Sequence, residues 1–170
     1  MSRFTALVLT IFVLAIIDTW LFGFLPATLH LQVWMSFIAW GVHFMAGGKV
    51  QGAKAAVLSM SFGALVGMCA AMAIPSLGAL GALGAPLAVG VGAAVIVLAS
   101  KIPMLEAIPA GFYGFAAIFA LLLLKGVDAP SAAIGPTIIS IIIGAAFGYV
   151  SEIVIDVLAK KDAAPAPAAA

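Results

Sequence analysis

The chain has 170 residues, of which 66% are hydrophobic and only 8% are charged, and its formal net charge is +1. A soluble domain of this size needs several times more charge on its surface, so the composition excludes a soluble globular protein and indicates a polytopic membrane protein. The small net charge gives no case for nucleic-acid binding.

Six apolar stretches follow one another and predict an all-α integral membrane protein, since a membrane-spanning helix needs about 20 apolar residues. The stretches are Phe4–Leu25, Leu31–Ala46, Ala53–Ile74, Ala82–Ala99, Met104–Leu124 and Ser131–Leu158. The second is short and the fourth begins in a glycine-rich run, so a five-span chain is the alternative. We predict one membrane domain over residues 1–160 and a disordered Ala/Pro-rich cytoplasmic tail over residues 161–170.

The basic residues favour one orientation, because Lys and Arg are retained on the cytoplasmic side during insertion. With six spans and the N-terminus inside, six of the seven basic residues fall on cytoplasmic segments and only Lys125 lies outside. We therefore expect a multi-pass protein of the lipid bilayer with both termini in the cytoplasm. The first stretch lacks a signal-peptide cleavage pattern and is predicted to remain as a span.

Spans three and six carry the same stripe of small residues at intervals of four. The stripes consist of Ser59, Gly63 and Gly67, and of Ser140, Gly144 and Gly148. Such stripes let helix backbones approach closely in lipid. Two interpretations remain open: packing alone, including packing between copies in a homo-oligomer, or a three-span unit present twice in opposite orientations, as in many transporters. The absence of a match between spans one and four counts against the repeat.

Two ionisable residues are predicted at membrane depth, where insertion of a charge costs about 3 kcal/mol. Asp18 lies about 10 Å and His43 about 18 Å from the outer face, on neighbouring antiparallel spans. We expect the two side chains to meet, directly or through one water, as a gate or proton site. His43 shares a helix face with Ser36 and Trp40, which suits a lumen. The alternative is that both residues make structural hydrogen bonds.

A group of charged residues is predicted near the cytoplasmic face. It consists of Glu106, Glu152, Asp156, Lys49, Lys54 and Lys101. Glu152 and Asp156 continue the small stripe of span six and therefore face the bundle if its glycines do. The group is either an interfacial ion network or, with its acidic residues partly unpaired, a vestibule that attracts cations, with Glu152 at the mouth.

Span five begins with a helix breaker beside glycines and aromatic residues. Pro109 is followed by Gly111, Phe112, Tyr113 and Gly114. Irregular backbone at membrane depth is tolerated only where it is buried in protein or lines a polar cavity. We therefore predict a discontinuous, pore-lining helix in which Phe112 and Tyr113, together with Trp40, form an aromatic constriction. A simple proline kink is the alternative.

The sequence lacks the motifs of common enzymes and metal sites, such as a phosphate loop, a catalytic triad or paired cysteines. Asp18 and His43 are too few for a metal site, and Cys69 is the single cysteine. We expect no enzymatic activity, no metal and no cofactor. The chain is predicted to be a channel or transporter for a small polar solute or ion, with proton linkage as one version. The alternative is a non-catalytic subunit that binds or stabilises another membrane protein.

Two short motifs resemble a known family. The turn Gly47-Gly48-Lys49 continues through Gly52 and Lys54 into the third span, and Ile108-Pro109-Ala110-Gly111-Phe112 is followed by Gly114. Through these motifs, from about Trp34 to Tyr149, the chain resembles the small bacterial inner-membrane proteins of the domain of unknown function 1097 (DUF1097) family. The resemblance implies an integral inner-membrane protein without an established activity. Asp18 and His43 are not part of the shared pattern.

Overall fold

The structure, a computed structural model, describes residues 1–124, 127 and 129–160, without the side chain of residue 160. These residues form helices and no strands, which confirms the predicted all-helical fold. The six α-helices are α1 (Arg3–Phe24), α2 (Val33–Met45), α3 (Lys49–Ala73), α4 (Gly84–Ala99), α5 (Ile108–Leu124) and α6 (Pro130–Lys160). A 3-10 segment, Pro75–Leu83, leads into α4. Lys125 and the predicted tail, residues 161–170, lie outside the described residues.

Among the described residues, four helical segments are long and apolar enough to cross a membrane. They are Arg3–Phe24, Lys49–Ala73, Pro75–Ala99 and Pro130–Ala159. The other two apolar helices are shorter, with 13 residues in α2 and 17 in α5. At the helical rise they are about 20 and 26 Å long, against about 30 Å of hydrocarbon. Six helices are therefore confirmed for the described part of the chain, but the length of a full span is reached by four.

Helix α3 lies at the centre of the bundle. It packs most extensively against α5 and α6 and also contacts α2 and α4. Helix α2 lies mainly against α6, whereas α1 and α4 are peripheral: α1 packs mainly on α6, and α4 packs mainly on α3. The buried residues of α1 are Ala6, Thr10 and Asp18, so most of this helix faces outward.

The helix ends form two faces of the molecule. An ion pair between Arg3 and Asp156 and a hydrogen bond between Lys49 and Glu152 join the starts of α1 and α3 to the end of α6. We call this face the basic end, because it carries the described basic residues Arg3, Lys49, Lys54 and Lys101. The links from α1 to α2 and from α3 to α4 lie at the opposite end.

The two stripes of small residues are packing surfaces within the chain. A Cβ added to Gly63 would overlap the backbone carbonyl oxygen of Gly111 in α5, and a Cβ added to Gly144 would overlap that of Ser36 in α2. The stripe glycines packed in this way are Gly63, Gly67, Gly144 and Gly148. Neighbouring helices of the same chain therefore fill both stripes.

Helix α5 is continuous, so the prediction of a discontinuous, pore-lining span is wrong. Pro109 is the second residue of α5, where a backbone N–H has no intrahelical acceptor and proline is tolerated. Gly114 faces α3, where a Cβ would overlap the carbonyl oxygen of Met60, and a Cβ on Gly111 would meet the side chain of Ile96 in α4. These glycines allow close helix packing and do not mark a break in the backbone.

The buried positions of the first three helices recur in the last three, and in α1 and α4 the buried pairs are Ala6/Gly84, Thr10/Ala88 and Asp18/Ile96. Within each pair of compared helices, every residue of the first helix is matched to the residue that lies a fixed number of positions later in the chain. In α2 and α5 the buried pairs are Met35/Ala110, Ser36/Gly111, Ala39/Gly114, Trp40/Phe115, Val42/Ala117 and His43/Ile118. In α3 and α6 they are Gly52/Ala133, Ala56/Thr137, Ser59/Ser140, Met60/Ile141, Gly63/Gly144, Ala64/Ala145, Gly67/Gly148 and Ala70/Ser151. The contacts correspond as well, because α2 packs on α6 as α5 packs on α3.

Candidate functional site

A line of buried and partly buried polar side chains follows the interface of α2 with α1 and α6. We call it the polar file, and it consists of Asp18, Gln32, Ser36, Trp40, His43, Thr137, Ser140, Ser151 and Glu152. Four of these residues, Gln32, Ser36, Trp40 and His43, are spaced by four, four and three and so share one face of α2. From Gln32 to His43 the file extends about 16 Å, more than half the hydrocarbon thickness.

Asp18 is completely buried in the middle of the file. Its Oδ1 accepts a hydrogen bond of 3.0 Å from the hydroxyl of Ser36, and its Oδ2 has no hydrogen-bond partner. No basic side chain in the described part of the chain forms an ion pair with it. Because an uncompensated charge at this depth is costly, the surroundings of Asp18 suit a carboxyl group that holds a proton.

The structure does not bring Asp18 and His43 together. Asp18 pairs with Ser36, and His43 lies seven residues, or about 10 Å, further along α2. His43 pairs with Glu152 of α6. The predicted direct pair is therefore wrong, because Asp18 meets α2 at Ser36 and His43 lies about two helical turns away.

His43 and Glu152 form the part of the file nearest the basic end. Nε2 of the fully buried His43 lies 3.2 Å from Oε2 of Glu152. An ionised carboxylate only accepts hydrogen bonds, so the contact favours a proton on Nε2, while Nδ1 has no partner. Glu152 also lines a cavity with Arg3 and Phe44 at the basic end. The carboxylate therefore connects the buried file to that face.

The turn between α2 and α3 is shaped around the Glu152 carboxylate. The backbone N–H of Lys49, the first residue of α3, donates to Oε2 of Glu152. A carboxylate at this position satisfies a free N–H and interacts favourably with the helix dipole. Gly48 has a φ of 69°, and a Cβ there would lie 2.6 Å from Oε1 of Glu152. The Gly47-Gly48-Lys49 motif thus leaves room for the acidic side chain.

Gln32 closes the file at the opposite end and was not predicted as a site residue. Its backbone N–H donates to the Ser140 hydroxyl at 2.9 Å, and its Nε2 donates to the Thr137 hydroxyl at 3.4 Å. Ser140 donates in turn to the carbonyl oxygen of Pro136 at 2.8 Å. Gln32 is 1% exposed and its Oε1 has no partner. A glutamine just inside the second apolar stretch was the one sequence signal for this end of the site.

Trp40 bridges α2 and α6 and does not line a constriction. Its Nε1 donates to the hydroxyl of Ser151 at 3.1 Å, and its ring packs against Phe147 with centroids 5.6 Å apart. Phe112 and Tyr113 lie on the outer surface of α5, with exposed fractions of 38% and 42%. The structure does not bring the three predicted constriction rings together, because the glycines on either side of Phe112 and Tyr113 pack against α4 and α3 and the two rings point outward.

The charged residues that were predicted to form one group near the cytoplasmic face do not form a single cluster. Asp156 pairs with Arg3 at 2.6 Å in an exposed ion pair, and Glu152 belongs to the polar file. Glu106 and Lys54 line another cavity. In the described part of the chain, no ion pair is formed by the side chains of Lys49, Lys54 and Lys101. The predicted interfacial ion network among these residues is not formed, because its acidic members have other surroundings.

The α1 and α2 residues of the polar file correspond to largely apolar residues of α4 and α5. The matched pairs are Asp18/Ile96, Ser36/Gly111, Trp40/Phe115 and His43/Ile118. Helix α5 nevertheless packs on α3 as closely as α2 packs on α6. This type of helix contact therefore forms without buried acids or imidazoles, which argues that the polar groups serve a purpose beyond packing.

The arrangement offers two carboxyl groups, one imidazole and several hydroxyls along one interface. Such groups carry and relay protons in membrane proteins. Buried atoms without a hydrogen-bond partner occur along the same interface, on Asp18, Gln32 and His43. Within the described ranges, no three His, Cys, Asp or Glu side chains converge on a point where they could hold a metal ion.

Comparison with known proteins gives one match. A family model described as "Protein of unknown function (DUF1097)" matches residues 8–155. This range includes both glycine motifs and the whole polar file from Asp18 to Glu152. No curated protein and no solved structure matches the chain.

Proposed function

The chain belongs to the DUF1097 family of proteins of unknown function, and we propose that it is a proton-linked secondary transporter for a small polar solute. One observation carries the proposal: a polar file with two carboxyl groups and an imidazole occupies one of two helix interfaces that pack in the same way, while the other interface is largely apolar. Since packing does not require these polar groups, transport of a proton or polar solute gives a reason for their burial.

The proposal includes two three-helix units, α1 to α3 and α4 to α6, inserted in opposite orientations. The matched buried positions and matched helix contacts support this arrangement. A unit with three passes reverses its orientation when it is repeated, and substrate sites of such transporters lie near the midplane between the repeats. In this arrangement all six helices cross the bilayer, with α2 and α5 as the short ones. Their shortness suits helices that are enclosed by longer neighbours.

The basic end is the cytoplasmic face in this proposal, because Lys and Arg are retained on that side. The described starts of α1, α3 and α5 and the end of α6 then all lie at the cytoplasmic face. The bacterial inner membrane is the location implied by the family resemblance. The cavity next to Glu152 then opens towards the cytoplasm.

The proton route begins at Glu152 and His43 and ends at Asp18. The unpartnered hydroxyl of Thr10 lies on the same face of α1 as Asp18, eight residues, or about 12 Å, closer to the basic end. Buried polar atoms that lack a protein partner are the usual places for ordered water. Water between Thr10, His43 and Asp18 would complete a chain of hydrogen bonds from the carboxylate of Glu152 to that of Asp18.

Proteoliposomes that contain a pH-sensitive dye test this function. An outward gradient of a defined mixture of amino acids, short-chain amines, carboxylates and polyols should drive proton movement through the wild-type protein. Asp18→Asn keeps the size of the side chain and its bond to Ser36 but cannot release a proton, so this variant should lose solute-driven proton movement. Asp156→Asn is the matched control, because Asp156 is an exposed carboxylate outside the polar file.

Two results would contradict the proposal. Proton movement that is unchanged in Asp18→Asn would remove Asp18 from the mechanism. An absence of proton and solute movement through the wild-type protein, together with a constant stoichiometric partner in purification, would favour the alternative of a non-catalytic membrane subunit.

A further inference from the structure

A cavity of about 530 Å³ lies at the basic end, between the first half of α3 and the link from α4 to α5. Its lining includes Gln51, Lys54 and Ser59 of α3 and Met104 and Glu106 of the link. This volume is typical of pockets that bind small molecules. The cavity has no part in the polar file, which runs along the interface of α2 with α1 and α6.

Opposite charges line this cavity, and neither forms an ion pair within the described part of the chain. They belong to Lys54 and Glu106, which both contribute to its wall. A site with one cationic and one anionic group is complementary to a solute that carries both charges, whereas a solute with a single charge would leave one protein charge unmatched.

Ser59 places the inner part of the cavity at membrane depth. Ser59 belongs to the cavity wall, its side chain is 2% exposed, and its hydroxyl is buried without a hydrogen-bond partner among the described residues. Ser59 is six residues beyond Ala53, the predicted start of the third span, or about 9 Å into the hydrocarbon. An unpartnered buried hydroxyl next to an open cavity is a group that a bound ligand can satisfy.

We propose that this cavity binds a small zwitterionic solute, with the solute carboxylate at Lys54, its ammonium group at Glu106 and a polar atom at the Ser59 hydroxyl. The proposal names the substrate class and the cytoplasmic binding site of the transporter, and it rests on the proposed function. A zwitterionic lipid headgroup has the same chemistry. The depth of Ser59 favours a soluble solute, since a headgroup remains at the membrane surface.

Equilibrium binding to the full chain in phosphatidylglycerol nanodiscs tests this site without any gradient. The probes are glycine, L-alanine, β-alanine and glycine betaine, with ethylamine and propionate as matched solutes that carry only one of the two charges of L-alanine. At least one zwitterion should bind saturably and raise the Tm, and the two single-charge probes should not. Lys54→Met, Glu106→Gln and Ser59→Ala should each weaken binding about tenfold or more. Lys101→Met is the control, because Lys101 is a basic residue of the same end that does not line the cavity.

Three results would overturn the inference: no zwitterion binds, ethylamine or propionate binds equally well, or the three variants bind as the wild-type protein does. Loss of zwitterion binding when phosphatidylethanolamine is included would instead identify the lipid headgroup as the ligand and would overturn the soluble solute. Asp156→Asn, at a position outside both the polar file and this cavity, should bind the zwitterion normally. Absence of zwitterion binding together with intact Asp18-dependent proton movement would reject this site and leave the proposed function in place. Zwitterion binding without Asp18-dependent proton movement would reject the proposed function alone.

Discussion

Asp18 and Ser36 are the residues on which the proton route depends most. The hydroxyl of Ser36 is the one hydrogen-bond partner of Asp18 among the described residues, and Oδ2 of Asp18 has none. A double-mutant cycle with Ser36→Ala and Asp18→Asn, measured by thermal unfolding in detergent, should give a coupling free energy of about 1 kcal/mol, the range found for buried hydrogen bonds in membrane proteins. Additive effects of the two substitutions would show that the pair is not formed.

Substitutions at Gly48 and Gly47 distinguish two reasons why the turn between α2 and α3 contains glycine. Both have positive φ, 69° and 90°, so alanine is strained at either position. A Cβ at Gly48 would also collide with the carboxylate of Glu152, whereas a Cβ at Gly47 has no atom within 4 Å. Gly48→Ala should therefore lower the free energy of unfolding by about 1 kcal/mol more than Gly47→Ala does.

Removal of the Glu152 side chain is the control for this comparison. In a Glu152→Ala background the collision at Gly48 no longer exists, so the two alanine substitutions should become equally costly. A difference that persists in this background would show that the carboxylate does not shape the turn.

Several site residues follow from the sequence, and others need the tertiary structure. Asp18, Ser36 and His43 could be singled out because polar residues in apolar stretches are conspicuous. Their pairing could not, since it depends on the point at which α1 meets α2. Gln32 was missed because it lies at the edge of an apolar stretch, where an interfacial position was equally consistent with the sequence.

At the scale of the helices, glycine contacts fix how α3 meets α5 and how α6 meets α2. A Cβ on Gly63 would fall on the backbone of Gly111, which cannot rotate away as a side chain does. Gly63→Ala should therefore lower the free energy of unfolding by about 1–3 kcal/mol. Gly90 of α4 is the matched control, because a Cβ there has no atom within 4 Å and alanine favours helix.

The measurement is the thermal unfolding of both variants in one detergent. Gly90→Ala should unfold at the same temperature as the wild-type protein or slightly above it. Equal destabilisation by Gly63→Ala and Gly90→Ala would contradict the close approach of α3 and α5.

The helix number and the stripes were accessible from the sequence because apolar length and small-residue spacing are local patterns. The start of α3 was not, since the helix begins at Lys49, directly after the turn at Gly47 and Gly48 and four residues before the predicted Ala53. The course of α5 was not either: Pro109 and its neighbouring glycines have the composition of a break, and only the contact with α3 distinguishes close packing from irregular backbone.

At the scale of the whole molecule, two halves with matching buried positions differ in chemistry and in accessibility. Ser59 and Ser140 occupy matched positions of α3 and α6. Both side chains are buried, but Ser59 belongs to the wall of the cavity at the basic end and its hydroxyl has no partner among the described residues, whereas the Ser140 hydroxyl is bonded to Gln32. An exchange of the two conformations between the halves would seal Ser59 and open Ser140 to the opposite face. Transporters with inverted repeats alternate access in this manner.

The accessibility of Ser59 and Ser140 shows whether the two halves alternate access as inverted units. The chain has a single native cysteine, so cysteine labelling at these positions can be made specific. In a Cys69→Ala background, Ser59→Cys and Ser140→Cys would be exposed to a membrane-impermeant maleimide in right-side-out and inside-out vesicles. We expect Ser59→Cys to react only from the cytoplasmic face and Ser140→Cys only from the opposite face. A condition that raises the labelling rate of one cysteine should lower that of the other. Reaction of both cysteines from the same face, or rates that change independently, would contradict a transporter built from two inverted units.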